Sequence, residues 1–370
     1  MLNTDLRNFH HASGAKVADD GIPLTYSDVA QEYQAALHSV VLLDRSHEAR
    51  LRLSGKTRAE FLQRMSTNDM RNLSTDIGRP TIFTSPIGRV IDRVWVFHTH
   101  ADHLTLFGGP GRIDALTNLL RRQIFFGDDV QLESLQASTA QFALHGPAAD
   151  AVISALHSPA TDFAVGQGAA VSIAGAEVYI ARRKPYTGAH WMLMVPAAQA
   201  AEVWQAVLSA GKPFGLIPAG SLTYNTLRIR AGRPGFGREL TEDFIPLELG
   251  LWDEVNFSKG CYTGQEIIAR MESRGRLART IVTLKLPAAV NPPADLMSEG
   301  KRIGVLTSSV TAPDGEVFGI GLVKPSAARL GQTLSLAGGV IATITALPGV
   351  QPPQLQDESE LQSQQNQQDS

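Results

Sequence analysis

Two blocks of one kind, each a β-hairpin followed by an amphipathic helix, precede a stretch holding only short β-type runs. This order constrains the fold more than any other feature of the chain. In the first block, residues 90–98 alternate as a strand and 104–107 return as the hairpin partner across the turn 98–103. Residues 113–124 follow as a helix, with Leu116, Leu119 and Leu120 on one stripe. In the second block, 178–180 and 191–195 take the strand positions and 198–210 the helix. Ahead of both, Leu51 and Leu53 flank Arg52 in a short strand, and Ser54 or Gly55 opens a helix through Glu60, Phe61, Leu62 and Met65. Composition breaks at 286–293, where Pro287, Pro292 and Pro293 cluster. Beyond it the runs 302–307, 319–323, 333–336 and 340–344 are spaced by Gly, Pro and Asp turns, as in a small antiparallel barrel or sandwich. Hairpin-plus-helix blocks followed by an all-β piece imply an α+β architecture rather than a wound parallel sheet. The expected division is 1–275, then 276–350 as the barrel, then a disordered tail at 351–370, too rich in Gln, Ser, Asp and Glu to bury apolar surface.

A chain of 370 residues is long enough for two or three domains with proper cores. Its net charge of −3 argues against a surface built to coat nucleic acid. No window approaches 18 consecutive apolar residues, so no membrane span is expected. The first twenty residues have the pattern of neither a secretory signal nor an Arg-rich transit peptide, and the expected location is the cytoplasm. Cys261 is the only cysteine, which excludes an intramolecular disulfide and an iron–sulfur cluster or structural zinc held by this chain's own cysteines.

That cysteine lies in the octet Lys259-Gly260-Cys261-Tyr262-Thr263-Gly264-Gln265-Glu266. Thr263 and Glu266 are spaced for a capping box, and Tyr262 and Ile267 for a hydrophobic staple, ahead of the helical pattern of Ile267, Ile268 and Met271. Cys261 would then sit two residues before a helix N-terminus and beside Lys259, a setting that favours thiolate over thiol. Two readings stay open at this point: a functional thiol, or a small buried apolar residue.

Other motifs carry less. His98, His100 and His103 with Asp102 resemble a metal cluster, but the segment has the composition of a hairpin turn and no further ligands are evident, so no metal is expected. Ser54-Gly55-Lys56-Thr57 ends like a phosphate loop but has Arg50 where the pattern needs glycine. Gly108-Gly109-Pro110-Gly111 lacks a dinucleotide register. Ser46-His47 near Asp44 has no nucleophile elbow. The stretch 228–237 packs Arg228, Arg230 and Arg233 among three glycines and a proline, which reads either as a solvated loop or as an anion-binding face.

The octet, with Ile267-Ile268-Ala269-Arg270 and Arg274-Gly275 after it, closely resembles the signature of the YgfZ-type folate-binding proteins. These are relatives of the T-protein (aminomethyltransferase, GcvT) of the glycine cleavage system, and mitochondrial members act in iron–sulfur protein maturation. Asp44-Arg45-Ser46-His47, Ser66-Thr67-Asn68-Asp69, the block 227–237 and Gly304-Val305-Leu306-Thr307 resemble further segments of that superfamily. The resemblance implies two α/β sub-domains with antiparallel sheets around a central cavity, plus a small C-terminal β-barrel. It implies tetrahydrofolate as ligand, with Asp92, Arg228, Arg230 and Met65 as folate-binding residues. Cys261 and Lys259 would be the reactive pair, with Gly260, Tyr262, Gly264, Gln265 and Glu266 ordering the loop.

Two departures bear on chemistry. T-proteins carry a pair of acids where this chain has Asp92-Arg93, and a pterin-contacting glutamate where it has Arg230. Arginine offers only donors to a pterin. The resemblance therefore implies support of iron–sulfur cluster assembly or repair in client proteins, with those clients or assembly factors as partners and no classical turnover. Two alternatives are a tetrahydrofolate-dependent aminomethyl or one-carbon transferase with Asp92 as the acid, and a ligand-free scaffold.

Overall fold

The structure, a computed structural model, describes residues 4–26, 28–157 and 162–349; the tail assigned to 351–370 lies outside them. Its described residues fall into two compact units. One comprises the chain up to Arg64, Asp69–Thr81 and Asp92–Arg228; the other comprises Met65–Asn68, Ile82–Ile91 and the chain from Ile229.

The first expected block is present as the strands Val90–His100 and His103–Pro110 with the helix Ile113–Arg121. The second is present as Ala176–Arg183, Ala189–Pro196 and the helix Ala200–Gly211. Each hairpin enters a separate sheet. A five-stranded sheet has the order Gly78–Thr84, Val90–His100, His103–Pro110, Glu48–Ser54, Gln131–Ser134. A six-stranded sheet has the order Gly168–Ile173, Ala176–Arg183, Ala189–Pro196, Thr139–Gly146, Val40–Asp44, Leu216–Ala219. Its pairings are antiparallel except the last, where Leu216–Ala219 runs parallel to Val40–Asp44. The helix expected to open at Ser54 or Gly55 instead spans Arg58–Met65, because Ser54 is the last residue of the preceding strand.

Burial follows the patterns that produced these elements. Val203, Trp204 and Val207 occupy one face of Ala200–Gly211 and pack on Phe142, Trp191 and Val195 of the six-stranded sheet. Trp95, Phe97 and Phe107 of one sheet share a cluster with Tyr179, Ala181 and Met192 of the other. The helix Val29–His38 is capped by Asp28, whose carboxylate accepts from Ala30 N–H at 2.8 Å. Glu32 in that helix is only 1% exposed, and its carboxylate accepts from four donors: Thr25 Oγ1, Tyr26 N, Gly220 N and Thr223 Oγ1, at 2.7–2.9 Å. A buried charge is tolerable only with such compensation.

In the second unit the C-terminal strands form a closed barrel in the order Thr280–Leu286, Val317–Val323, Lys301–Thr311, Ala294–Ser298, Thr333–Ser335, Ile341–Ala346. Sequence patterning located the last four in chain order but missed Thr280–Leu286 and Ala294–Ser298, which flank the proline cluster. Val282, Leu284, Leu296, Leu306, Leu334 and Ile344 fill its interior. Among the described residues no helix is long and apolar enough to cross a membrane.

Candidate functional site

The octet forms a loop in the second unit, and its hydrogen bonds show why it holds one shape. Asn256 N–H donates to Thr67 O at 2.9 Å, and Thr67 Oγ1 donates back to Glu254 O at 2.7 Å. The Lys259 ammonium donates to Ser66 O at 2.6 Å and Asn68 O at 2.8 Å, and lies 5.1 Å from the centre of the Tyr262 ring. Lys259 thus fastens the loop to the segment immediately after Met65, itself a buried residue. Thr84 Oγ1 donates to Thr263 O at 2.5 Å.

Tyr262 is buried with Ile245, Leu247, Trp252, Val255 and Ile268. Burial pushes its hydroxyl up to about 12, so it remains a phenol at neutral pH. Cys261, between these anchors, is exposed. The chemistry available to the loop is therefore that of an accessible thiol on a backbone held at both sides.

Two expectations for the octet are corrected. The helix runs Gln265–Arg274, its N-cap is Gly264 at φ 84°, and no side chain caps it. The capping box of Thr263 and Glu266 does not form, because the chain needs a left-handed residue at 264 to turn tightly. A Cβ there would lie 2.5 Å from Ser85 O and 2.8 Å from Thr84 Oγ1, so only glycine fits. Tyr262 packs on Ile268 rather than making the Tyr262–Ile267 staple. Cys261 consequently lies three residues before the cap, beyond the first-turn reach of the helix dipole. Gln265 and Glu266 open the helix, and Gly260 has open space around it.

Arg230, also in this unit, ends the helix Ser221–Arg230; it is exposed, with its guanidinium 5.7 Å from the centre of the Phe318 ring.

Asp92 and Arg228 belong to the other unit. Asp92 is fully buried; Oδ1 accepts from Arg93 N–H at 2.9 Å and Oδ2 from Arg112 Nε at 3.1 Å. Burial pushes its carboxyl up to about 6, against the opposing pull of Arg112. Arg228 is 8% exposed and forks onto Asn225 Oδ1 through Nε and Nη2.

The histidine-rich turn is a hairpin turn as composition implied. His98 Nδ1 bonds Leu73 O, and the His100 and His103 rings stack at 5.0 Å. Among the described residues no group of three or more His, Cys, Asp or Glu is arranged to hold a metal ion.

Sequence reasoning missed a polar cluster inside the first unit. His145 and His190 are opposite each other on paired strands, their rings stacked at 3.9 Å. Tyr186 stacks on His145 at 5.3 Å, and the hydroxyls of Tyr186 and Tyr224 are 3.0 Å apart. Arg45 lies 3.6 Å over the Tyr224 ring and pairs with Glu48 at 2.7 Å. His145 is fully buried and neither ring nitrogen has a hydrogen-bond partner. Burial, aided by Arg45 and Arg183, lowers it to about 3, so the ring is neutral at physiological pH. A signal existed for one of them: His190 is the sole polar side chain of the strand Ala189–Pro196.

Residues 6–259 match the family described as the GCVT N-terminal domain. The chain is 30% identical over 351 residues to a chloroplastic protein of Arabidopsis thaliana whose name proposes a transferase, covering 94% of this chain and 80% of that one. It is 30% identical over 348 residues to an aminomethyltransferase of Desulforamulus reducens, covering 91% and 93%. The solved aminomethyltransferase T of the glycine cleavage system from Bartonella henselae superposes with a TM-score of 0.81 at 23% identity, covering 94% of this chain and 97% of that one.

Proposed function

The chain belongs to the GCVT family, whose N-terminal domain spans its residues 6–259, and from that premise we propose that it supports assembly or repair of iron–sulfur clusters in client proteins through the thiol of Cys261. Its fold is that of the T-proteins. The observation that carries the proposal is the placement of the sole cysteine: exposed, on a loop fixed by Lys259, Thr84 and the left-handed Gly264. A thiolate is the nucleophile and metal ligand of such chemistry, and accessibility is its first requirement. With one cysteine, the chain meets a cluster or persulfide as cargo, the remaining ligands coming from the client, an assembly factor or a small thiol.

Tetrahydrofolate is the ligand the family resemblance implies, and three of the residues assigned to it, Asp92, Arg228 and Arg230, have chemistry of their own that bears on a pterin. Asp92 already accepts on both oxygens, Arg228 forks onto Asn225, and Arg230 brings donors where a pterin's amino and ring N–H groups require acceptors. Calorimetry with tetrahydrofolate separates a folate-binding member from a ligand-free scaffold.

The test is complementation of a bacterium lacking its YgfZ-type protein, with activities of iron–sulfur enzymes as the readout. Wild type restores them and Cys261→Ser does not; equal rescue by both overturns the proposal.

A second reading, tetrahydrofolate-dependent aminomethyl or one-carbon transfer, is favoured by the Asp92 carboxyl at about 6, a value suited to proton exchange near neutral pH. It predicts turnover of an aminomethyl or methyl donor that Asp92→Ala abolishes and Cys261→Ala leaves intact.

A further inference from the structure

A cleft of about 320 Å³ opens in the second unit beside the barrel strand Lys301–Thr311, and its lining has a chemistry that the thiol loop does not use. Its apolar walls are Phe244, Pro293 and Val305, and its charged groups are Arg238, Arg279 and Asp243. The turn that carries Arg238 is bolted from beneath. The N–H groups of Arg238, Glu239 and Leu240 all donate to Gly235 O at 3.0–3.3 Å. The Glu239 carboxylate is fully buried, and accepts from Gly235 N at 2.9 Å, Thr307 Oγ1 at 2.5 Å and Ser308 Oγ at 2.7 Å.

That network ties the turn to the barrel strand and leaves Arg238 projecting at the cleft. Its guanidinium makes no hydrogen bond or ion pair with any described residue. Arg279 is oriented differently: its guanidinium lies 5.2 Å from the centre of the Phe244 ring. A third cation nearby, Arg89, is already engaged, donating to Asp243 O at 2.7 Å and lying 3.7 Å from the Glu248 carboxylate.

We propose that this cleft binds a small organic anion, a carboxylate or phosphate monoester on a flat apolar body, with Arg238 and Arg279 taking the anionic group and Phe244, Val305 and Pro293 the body. Two arginines against one exposed aspartate leave the lining net positive, which favours an anion. Guanidinium forks match the oxygens of carboxylate and phosphate. The volume stands at the lower end of the range of about 300–1,000 Å³ for ligand pockets, which restricts the occupant to a small molecule.

Calorimetry on the full chain with phenyl phosphate, benzoate and inorganic phosphate tests this. Saturable binding of phenyl phosphate or benzoate is expected, tighter than inorganic phosphate and weaker as salt rises; the tighter of the two names the anionic group. Arg238→Gln removes charged hydrogen bonds and weakens binding about tenfold or more. Val305→Trp fills the cleft without changing its charge and abolishes binding. The proposal is overturned if neither organic anion saturates by about 10 mM, if inorganic phosphate binds as tightly as phenyl phosphate, or if binding survives Arg238→Gln unchanged.

Discussion

Replacing Gly264 by alanine isolates the feature that shapes the thiol loop. Gly264 sits at φ 84°, and placing an L-residue in the left-handed region costs about 1–2 kcal/mol. The added Cβ would also lie 2.5 Å from Ser85 O, 2.8 Å from Thr84 Oγ1 and 3.0 Å from Gly88 Cα, so the loop must move away from that turn. The movement breaks the bond from Thr84 Oγ1 to Thr263 O, a further loss of about 1 kcal/mol. A local destabilisation of about 2–3 kcal/mol follows, which is a factor of about 30–150 in the opening equilibrium. Amide hydrogen exchange across Gln265–Arg274, read by mass spectrometry, should accelerate by that factor. Gly260→Ala is the internal control: nothing lies within 4 Å of its Cβ position, and exchange should stay close to wild type. Gly264→Ala with exchange within about threefold of wild type, under 1 kcal/mol, would refute the argument, as would an equal effect at Gly260.

Lys259→Met removes the two bonds to Ser66 O and Asn68 O and should release residues 65–68 by about 2 kcal/mol, seen as faster exchange there; no change would mean that other contacts hold the segment. Glu32→Gln sets an amide N–H₂ against a site where four donors converge, and should cost about 2–3 kcal/mol in urea unfolding. His145 is held at about 3 and His47 at about 2, against 6.5 when unfolded, chiefly by burial. The folded chain therefore binds fewer protons below pH 6.5, so this contribution is complete above that pH and is lost as pH falls, by up to about 1.4 kcal/mol per histidine per unit. His145→Phe should flatten the decline in stability between pH 7 and 5, and an unchanged slope would show the ring already protonated. Asp92 acts in the opposite sense: with its carboxyl raised to about 6, its contribution is present below pH 3.8 and lost as pH rises through 6, and carbon NMR of the side chain should show that midpoint.

The sequence by itself determined the two hairpin-plus-helix blocks and four of the six barrel strands, but not Thr280–Leu286 or Ala294–Ser298. Residues 90–107 are legible as a hairpin because side-chain alternation is a property of neighbouring residues, and the stripe of Leu116 and Leu120 is legible as a helix for the same reason. The octet was also legible as the place where the one cysteine meets a helix start. The structure alone decided what that place is made of. Lys259 finds its acceptors 193 and 191 residues away, at Ser66 and Asn68. Gly264 takes the cap from Thr263 because Ser85, far back in the chain, approaches too closely for a side chain. His145 and His190 become a stacked pair only through strand register, and Arg238 becomes a ligand candidate only because Glu239 is drawn beneath it by Thr307 and Ser308. Local periodicity is written in adjacent residues, whereas close approach, register and unanswered charge depend on which distant segments pack together, and packing is decided by the whole chain at once.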